Sequence, residues 1–330
     1  MNMPRRKPSL VSLFAGCGGS SLGYQQAGYD VRLAVEWDAG ATAAYRCNFP
    51  KTLVWEGDIC DLSGAEALKL AGVGPGELDV LDGSPPCQGF STAGKRRFAD
   101  RRNRLFEEYV RLLEAFRPRA FVMENVSGLV KGKMKLAFAE MTIALKNAGY
   151  RVSCRLLNAW WYGVPQDRRR LIWIGMRDDL GVEPSHPAPT QRRPITVTMA
   201  LDAAGITSGW RGAIKNAIHY GEWRSSQLPS PMLNASQPPV VLIEHHPGYK
   251  DAAFHEGLAP TLASGRKTRL TDGNELPRYL TIDEAKILQG FPDTFDVNEY
   301  RLIGNSVAPP MAEAVGRHVM RLLRKTAPCP

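Results

Sequence analysis

Residues 10–37 read LVSLFAGCGGSSLGYQQAGYDVRLAVEW, in which two apolar runs flank a cluster of glycines and an amphipathic stretch. The runs at 10–15 and 31–37 have the length of buried strands, and residues 20–27 have the spacing of a short helix that ends at Gly28. A strand, a glycine turn, a helix and a second strand form the opening unit of open α/β sheets. The sequence therefore predicts an α/β fold.

The glycine turn allows two interpretations, tight strand-to-helix packing or a cofactor site. Glu36 and Trp37 close the second run, where a carboxylate can bind a ribose and an indole can stack on an adenine. The phosphate-binding pattern G-x-G-x-x-G is absent because Ser21 stands at its third glycine. A cofactor without a pyrophosphate fits better, and a dehydrogenase is disfavoured.

Strand and helix patterns go on alternating up to residue 177, which predicts a mostly parallel, doubly wound sheet. Further apolar runs lie at 52–58, 78–82, 120–126, 152–159 and 171–176, and helical patterns at 39–47, 63–71, 104–116 and 134–148. The alternation then stops, and eleven of the 24 prolines fall between residues 178 and 279. A closing helix at 310–323 has an apolar face suited to docking on the first domain. We predict a domain at 1–177 that is completed by 300–330, and a smaller one at 178–299.

The composition limits the class of protein. The chain has 330 residues, 44% of them hydrophobic, and 42 Lys and Arg against 33 Asp and Glu, a formal charge of +9. Wholesale disorder is excluded, and a polyanion or a membrane surface is a plausible partner. No run reaches the roughly 18 apolar residues of a membrane span, and no signal peptide is visible, so we expect a cytoplasmic protein. Six cysteines without a C-x-x-C pair argue against disulfides and structural zinc, so we expect no metal.

The most specific motif is DVLDGSPPCQGFS at residues 79–91. It places Cys87 just past the carboxyl end of a predicted strand, where open α/β sheets have their sites, on a loop stiffened by two prolines. The alternative is a small buried core cysteine. A core position rarely lies in such a loop, which favours a reactive nucleophile.

Three further segments carry polar residues beside predicted strands. Glu124 ends a strand, either facing solvent or able to hand over a proton near neutral pH beside an apolar pocket. Arg168 and Arg170 alternate at the start of the next strand, either as a solvated run or as a pair that holds a phosphate or a carbonyl. Thr281 and Glu284 form a capping box that predicts a helix start.

Residues 95–104 carry six positive side chains and one negative side chain. The alternatives are an ordinary solvated loop and a segment that clamps phosphates. The mixed charge that is usual in solvated loops is missing, which favours the clamp. Charge placed directly after Cys87 points to a nucleic acid more than to a membrane.

Taken in order, these motifs resemble those of the prokaryotic DNA (cytosine-5)-methyltransferases. The resemblance covers residues 10–177 and 278–320 and rests on Pro86-Cys87-Gln88, Glu124-Asn125-Val126, Gln166-x-Arg168-x-Arg170 and Gly304-Asn305-Ser306. It implies a doubly wound, Rossmann-like domain that uses S-adenosylmethionine and releases S-adenosylhomocysteine, beside a smaller target-recognition domain. Ser12 departs from the pattern, since many members have Asp there.

The resemblance also implies roles for individual residues. The catalytic residues would be Cys87, Glu124, Arg168 and Arg170. The cofactor would contact Phe14, Gly16, Gly18, Glu36, Trp37, Asp58, Ile59, Leu105 and Asn305. The substrate DNA would contact Gln88, Ser91, Lys95, Arg96, Arg97, Gln166 and Arg278, while no spacing in 185–270 identifies the residues that read bases.

The implied reaction is methyl transfer to carbon 5 of a cytosine that is flipped out of duplex DNA and bound covalently to Cys87. The implied partners are double-stranded DNA and a cognate restriction endonuclease, with the enzyme a monomer that associates with the nucleoid and not with a membrane. Two alternatives stay open, a tRNA cytosine-5 methyltransferase and a catalytically silent DNA-binding homologue. The Cys-Phe-Thr tripeptide of the tRNA branch is absent.

Overall fold

The computed structural model describes residues 6–86, 104–132, 134–205, 241–244, 253–256, 259, 261–262, 268–271 and 278–326. The chain divides into two compact units. The first unit comprises Met1–Leu157, Arg169–Ala188 and Met311–Pro330, and the second comprises Asn158–Arg168 and Pro189–Pro310. Among the described residues no helix is long and apolar enough to cross a membrane.

The first unit is built on a seven-stranded sheet with the strand order β3-β2-β1-β4-β5-β7-β6. The strands are β1 (Ser9–Leu13), β2 (Asp30–Glu36), β3 (Leu53–Glu56), β4 (Val80–Gly83), β5 (Ala120–Val126), β6 (Tyr150–Asn158) and β7 (Arg169–Arg177). The first five are parallel, which confirms the doubly wound α/β fold. β7 instead runs antiparallel to β5. The segment between β6 and β7, which the structure describes throughout, contains no α-helix. A strand that continued the parallel sheet would need such a helix to carry the chain back to the starting edge.

The helices of this unit lie where the apolar spacing predicts them. They are α1 (Gly19–Ala27), α2 (Ala39–Asn48), α3 (Gly64–Ala71), α4 (Arg104–Phe116) and α5 (Met134–Asn147). Asp38 and Ser63 precede α2 and α3, and their side chains accept backbone N–H groups there. Both residue types are preferred at the start of a helix. Strands and helices enclose one apolar core that includes Leu81, Phe121 and Trp173.

The closing helix, which we label α9, spans Pro309–Leu323. Its apolar residues Val315, Val319 and Leu322 are buried in the first unit, which confirms the predicted docking. A side chain at Gly316 would have its Cβ only 2.8 Å from the ring of Tyr24, so glycine permits the close approach to α1. The hydroxyl of Tyr29 donates to the Gly316 carbonyl at 2.9 Å.

A buried ion cluster closes the amino-terminal edge of the sheet. Asp79, 2% exposed, lies just before β4 and accepts from Arg119 at 3.0 Å and from Arg6 at 2.9 Å. It also accepts from the backbone N–H of Ser9 at 2.8 Å. These contacts join the chain before β1 to the segments before β4 and β5, at the edge opposite the candidate site.

The second unit contains a four-stranded antiparallel sheet with the order β11-β10-β8-β9. The strands are β8 (Val241–Glu244), β9 (Ala253–Glu256), β10 (Thr268–Thr271) and β11 (Arg278–Tyr279), and the helices are α6 (Val197–Ala203), α7 (Ile282–Gln289) and α8 (Tyr300–Asn305). The capping box at α7 is confirmed, since the Thr281 hydroxyl accepts the Glu284 N–H at 3.2 Å and the Glu284 carboxylate accepts the Thr281 N–H at 2.8 Å.

Candidate functional site

The glycine turn after β1 bends through three residues with positive φ. Phe14, Gly16 and Gly18 have φ values of 55°, 56° and 99°. A Cβ at Gly18 would lie 2.3 Å from the ring of Phe49, so that position requires glycine. A Cβ at Gly16 would meet no heavy atom within 4 Å. The turn therefore packs tightly on one side and leaves open space beside Gly16.

Glu36 ends β2 directly beside this turn. Its Oε2 accepts the Gly16 N–H at 2.8 Å, and its Oε1 accepts the N–H groups of Trp37 at 2.9 Å and Asp38 at 3.0 Å. A carboxylate has about four acceptor positions, so one position remains for a ligand. The Trp37 side chain is 77% exposed. The open space at Gly16, the carboxylate and the exposed ring together fit a nucleoside-type cofactor such as S-adenosylmethionine.

The other predicted cofactor residues lie in both units. Asp58 follows β3 and caps a 3-10 turn by accepting the Cys60 N–H at 3.1 Å, and Ile59 is buried in that turn. Leu105, in the first turn of α4, is partly buried against the core. These three residues belong to the first unit, whereas Asn305 is an exposed residue of the second unit at the end of α8.

Glu124 and Arg170 form an ion pair at the carboxyl end of β5. The distance from Arg170 Nε to Glu124 Oε1 is 2.8 Å, and each side chain is 12% exposed. Antiparallel pairing of β5 with β7 sets Val126 opposite Arg170 and so brings the two side chains together. The guanidinium of Arg170 holds the carboxyl group of Glu124 in one orientation at this edge of the sheet.

Asn125 connects this pair to the predicted nucleophile segment. Its side-chain Nδ2 donates to the Pro85 carbonyl at 3.0 Å, and Asn125 is 3% exposed. Pro85 lies two residues before Cys87 in the sequence. The structure therefore joins the end of β5 to the chain just before Cys87. Several predicted residues lie outside the described part of the chain: Cys87, Gln88, Ser91, Lys95, Arg96 and Arg97.

Arg168 does not share the surroundings of Arg170, because β7 begins only at Arg169. Its side chain is 1% exposed, and its guanidinium donates to the carbonyls of Leu262 at 3.1 Å, Gly304 at 3.0 Å and Ser306 at 2.6 Å. These contacts all lie within the second unit. Arg168 thus organises the Gly304–Ser306 turn, and its catalytic role stays a prediction.

Gln166 is likewise buried in the second unit, with no exposed surface. Its Nε2 donates to the Leu288 carbonyl at 3.0 Å and to Gln289 Oε1 at 2.8 Å, and its Oε1 accepts the Leu262 N–H at 3.1 Å. Its amide is therefore bonded inside the second unit, and the contact of Gln166 with DNA stays a prediction. For Arg278 the structure describes only the backbone, in β11.

Gln289 is a residue that the sequence analysis did not assign. Its Nε2 donates to the Ser306 carbonyl at 2.7 Å, so it joins Gln166 to the same turn that Arg168 holds. The sequence around Gln289 indicates only that it ends the helix that begins at the capping box, since Gly290 follows it. Nothing nearby indicates its contact with the Gly304–Ser306 turn. Among the described residues no group of three His, Cys, Asp or Glu side chains is placed to hold a metal ion.

Comparison with known proteins gives one consistent result. The family described as C-5 cytosine-specific DNA methylase matches residues 9–321. Type II methyltransferase M.XorII of Xanthomonas oryzae pv. oryzae is 35% identical over 97% of this chain and 86% of its own length. Type II methyltransferase M1.HphI of Haemophilus parahaemolyticus is 34% identical over 95% of this chain and 87% of its own.

Comparison with solved structures also finds methyltransferases. A protein described as a DNA modification methyltransferase encoded within an E. coli prophage superposes with a TM-score of 0.71 at 25% identity, covering 96% of this chain and 100% of the other. A DNMT2 of Spodoptera frugiperda has a TM-score of 0.61 at 19% identity, covering 95% of this chain and 100% of the other, and shows likeness of fold alone.

Proposed function

Since the chain belongs to the C-5 cytosine-specific DNA methylase family and is a DNA (cytosine-5)-methyltransferase, we propose that it methylates a flipped-out cytosine in duplex DNA through a covalent adduct on Cys87. The observation that carries the proposal is the Glu124–Arg170 pair at 2.8 Å, which Asn125 links to the carbonyl two residues before Cys87. A proton donor and a nucleophile are thereby assigned to one edge of the sheet.

The chemistry needs both groups. Carbon 5 of cytosine is too electron-poor to attack a methyl group, so the Cys87 thiolate first adds to carbon 6. Glu124 gives a proton to ring nitrogen 3 as the thiolate adds, which avoids an anionic intermediate. Arg170 holds the Glu124 carboxyl in place and is available to the carbonyl of the base. Carbon 5 is then enamine-like and takes the methyl group. A base removes the carbon 5 proton, ring nitrogen 3 gives back the proton it received, and elimination of the Cys87 thiolate restores the ring double bond and releases the product.

When bound, S-adenosylmethionine supplies the electrophilic methyl group. The first unit has the groups to hold it: the open turn at Gly16, the remaining acceptor position of Glu36 and the exposed ring of Trp37. Phe14, Gly18, Asp58, Ile59, Leu105 and Asn305 complete the set of cofactor contacts that we propose. Arg168 acts through the Gly304–Ser306 turn that precedes α9.

We assign binding and chemistry to residues 1–177 and 300–330, and target recognition to residues 178–299. The target cytosine is buried in the duplex stack, so it must be extruded at a cost of a few kcal/mol. The basic run at 95–104 supplies charge for holding the phosphates during that step. Relatives named Type II methyltransferases support a place beside a cognate restriction endonuclease.

Bisulfite sequencing of DNA from cells that express the chain tests the reaction, because it reports modified cytosines and their sequence context. A matched host carries Cys87→Ala. We expect protected cytosines at one recurring sequence with the wild type only. Methylation of tRNA without methylation of DNA would favour the tRNA alternative.

A duplex with 5-fluorocytosine in the methylated sequence tests the adduct, since fluorine at carbon 5 blocks elimination. We expect a denaturation-resistant complex with the wild type and with Cys60→Ser, which removes an exposed cysteine. Cys87→Ser should form none. A complex that persisted in Cys87→Ser would refute the assignment of the nucleophile.

A further inference from the structure

Asp82 is a buried carboxylate inside the first unit that the proposed chemistry does not use. It lies on β4, is 4% exposed, and faces Ser12 of β1 in the parallel register. The Ser12 hydroxyl donates to it at 3.2 Å and the Tyr24 hydroxyl at 3.0 Å, and Ser20 adds a third side-chain hydrogen bond. Within the described residues its partners are hydroxyl groups and no cation.

Such a group is costly, because a buried charge without a cation loses hydration and gains no ion pair in return. Asp79 on the same segment shows the ordinary solution, since two arginines compensate its charge. A valine at position 82 would satisfy the sheet without this cost. The presence of Asp82 therefore calls for a reason beyond packing.

The three hydroxyl groups indicate what the carboxylate holds. Ser12 lies in β1 just before the glycine turn, and Ser20 and Tyr24 lie in α1 just after it. Asp82 itself belongs to the strand that leads to Pro85, whose carbonyl is held by Asn125. The Asp82 carboxylate thus accepts hydrogen bonds from residues before and after the glycine turn. It also lies only five residues before Cys87 in the sequence.

We propose that Asp82 is a positioning residue that fastens the glycine turn and α1 to β4, so that the cofactor loop and the start of the nucleophile segment keep one fixed arrangement. The inference rests on the proposed function, which gives these two segments their roles. Asp82 acts through Ser12, Ser20 and Tyr24 and does not touch the reacting atoms.

The protonation state of Asp82 should matter for this role. Burial raises its pKa to about 6, and the nearby charge of Glu124 adds to the rise. The other ionisable groups that face it are Tyr24, Tyr45 and Tyr109, whose pKa values are all raised by burial, so they stay neutral. A protonated Asp82 carries a hydrogen that must itself be donated. At least one of the three hydroxyl groups that donate to the carboxylate must then reorient and stop donating to it.

Binding of S-adenosylhomocysteine, measured by isothermal titration calorimetry, tests the inference without depending on turnover. We expect Asp82→Ala to weaken affinity about tenfold, the equivalent of one charge-assisted hydrogen bond. Ser12→Asp/Asp82→Ser returns the carboxylate to the cluster from the facing strand and should restore most of the affinity. Asp79→Asn is the matched control, because it removes an equally buried carboxylate near the other end of β4 and should lower only the melting temperature.

The pH dependence provides a second measurement. Wild-type affinity should weaken as the pH falls through about 6, and Asp82→Asn should bind with little change over that range. Equal affinity of Asp82→Ala and the wild type, or parallel pH curves for Asp82→Asn and the wild type, would overturn the inference. A wild type that binds no S-adenosylhomocysteine would instead overturn the proposed function.

Discussion

Replacement of Glu124 by glutamine separates proton transfer from ion-pair stability. Glutamine keeps the shape of the side chain and can still accept from Arg170, but it has no acidic proton to give. General acid catalysis contributes roughly 10²- to 10⁴-fold, so we expect the rate of methyl transfer to fall by that factor. Binding of S-adenosylhomocysteine should be unchanged, because Glu36 and Trp37 carry the proposed cofactor contacts.

The stability of the same pair can be worked from its geometry. At 2.8 Å and 12% exposure on each side, loss of one partner leaves a nearly buried charge uncompensated. Such losses cost about 3–5 kcal/mol in buried pairs, and the remaining exposure places Arg170→Gln at the low end, about 3 kcal/mol. The double variant Glu124→Gln/Arg170→Gln removes both charges, so it should recover stability without recovering the rate.

The assay is single-turnover transfer of labelled methyl groups to unmethylated genomic DNA, paired with urea denaturation of each variant. Glu313→Gln breaks the surface pair between Arg317 and Glu313 on α9 and serves as the control, which should change neither quantity appreciably. A Glu124→Gln enzyme that retained about a third of the wild-type rate would refute the role of Glu124 as proton donor.

Three further predictions concern the turn, the second unit and pH. Gly18→Ala should lower the melting temperature and abolish S-adenosylhomocysteine binding, because its Cβ would lie 2.3 Å from Phe49; unchanged calorimetry would contradict this. Arg168→Lys cannot reach all three carbonyls and should expose the second unit to limited proteolysis, and a wild-type digestion pattern would count against it. The folded-state pKa of Asp82, about 6 against 3.8, means that wild-type stability falls as the pH rises through that window. The free energy of unfolding of Asp82→Asn relative to the wild type, measured by urea denaturation, should therefore grow by about 2 kcal/mol between pH 4 and 7. A difference that stays constant over this range would refute the prediction.

The parts of the fold that could be predicted are those with local causes. The helix at 104–116 agrees with α4, because its apolar spacing is visible within a few turns. The capping box at Thr281 needs only residues three apart. The antiparallel β8–β11 sheet was not predicted, because its strands are two to four residues long and lack alternation. The direction of β7 also escaped prediction, since pairing direction depends on partners far away in the chain.

The same division applies to the candidate site. The order of motifs, the family and the identity of Glu36 and Glu124 as candidate residues were accessible from residue types and spacing, because catalytic chemistry restricts which side chains can serve. The partners of those side chains were not accessible. Gln166 and Gln289 are 123 positions apart, yet their amides meet at 2.8 Å.

The amino-acid sequence alone therefore determined the class of fold, through periodicity and turns. It also determined which functional side chains are present, through motif spacing. Only the tertiary structure decided which arginine pairs with Glu124, that Arg168 and Gln166 brace a turn, and that Asp82 is enclosed by hydroxyl groups. Burial and hydrogen-bond geometry arise when distant strands and helices pack against one another. No local pattern encodes them.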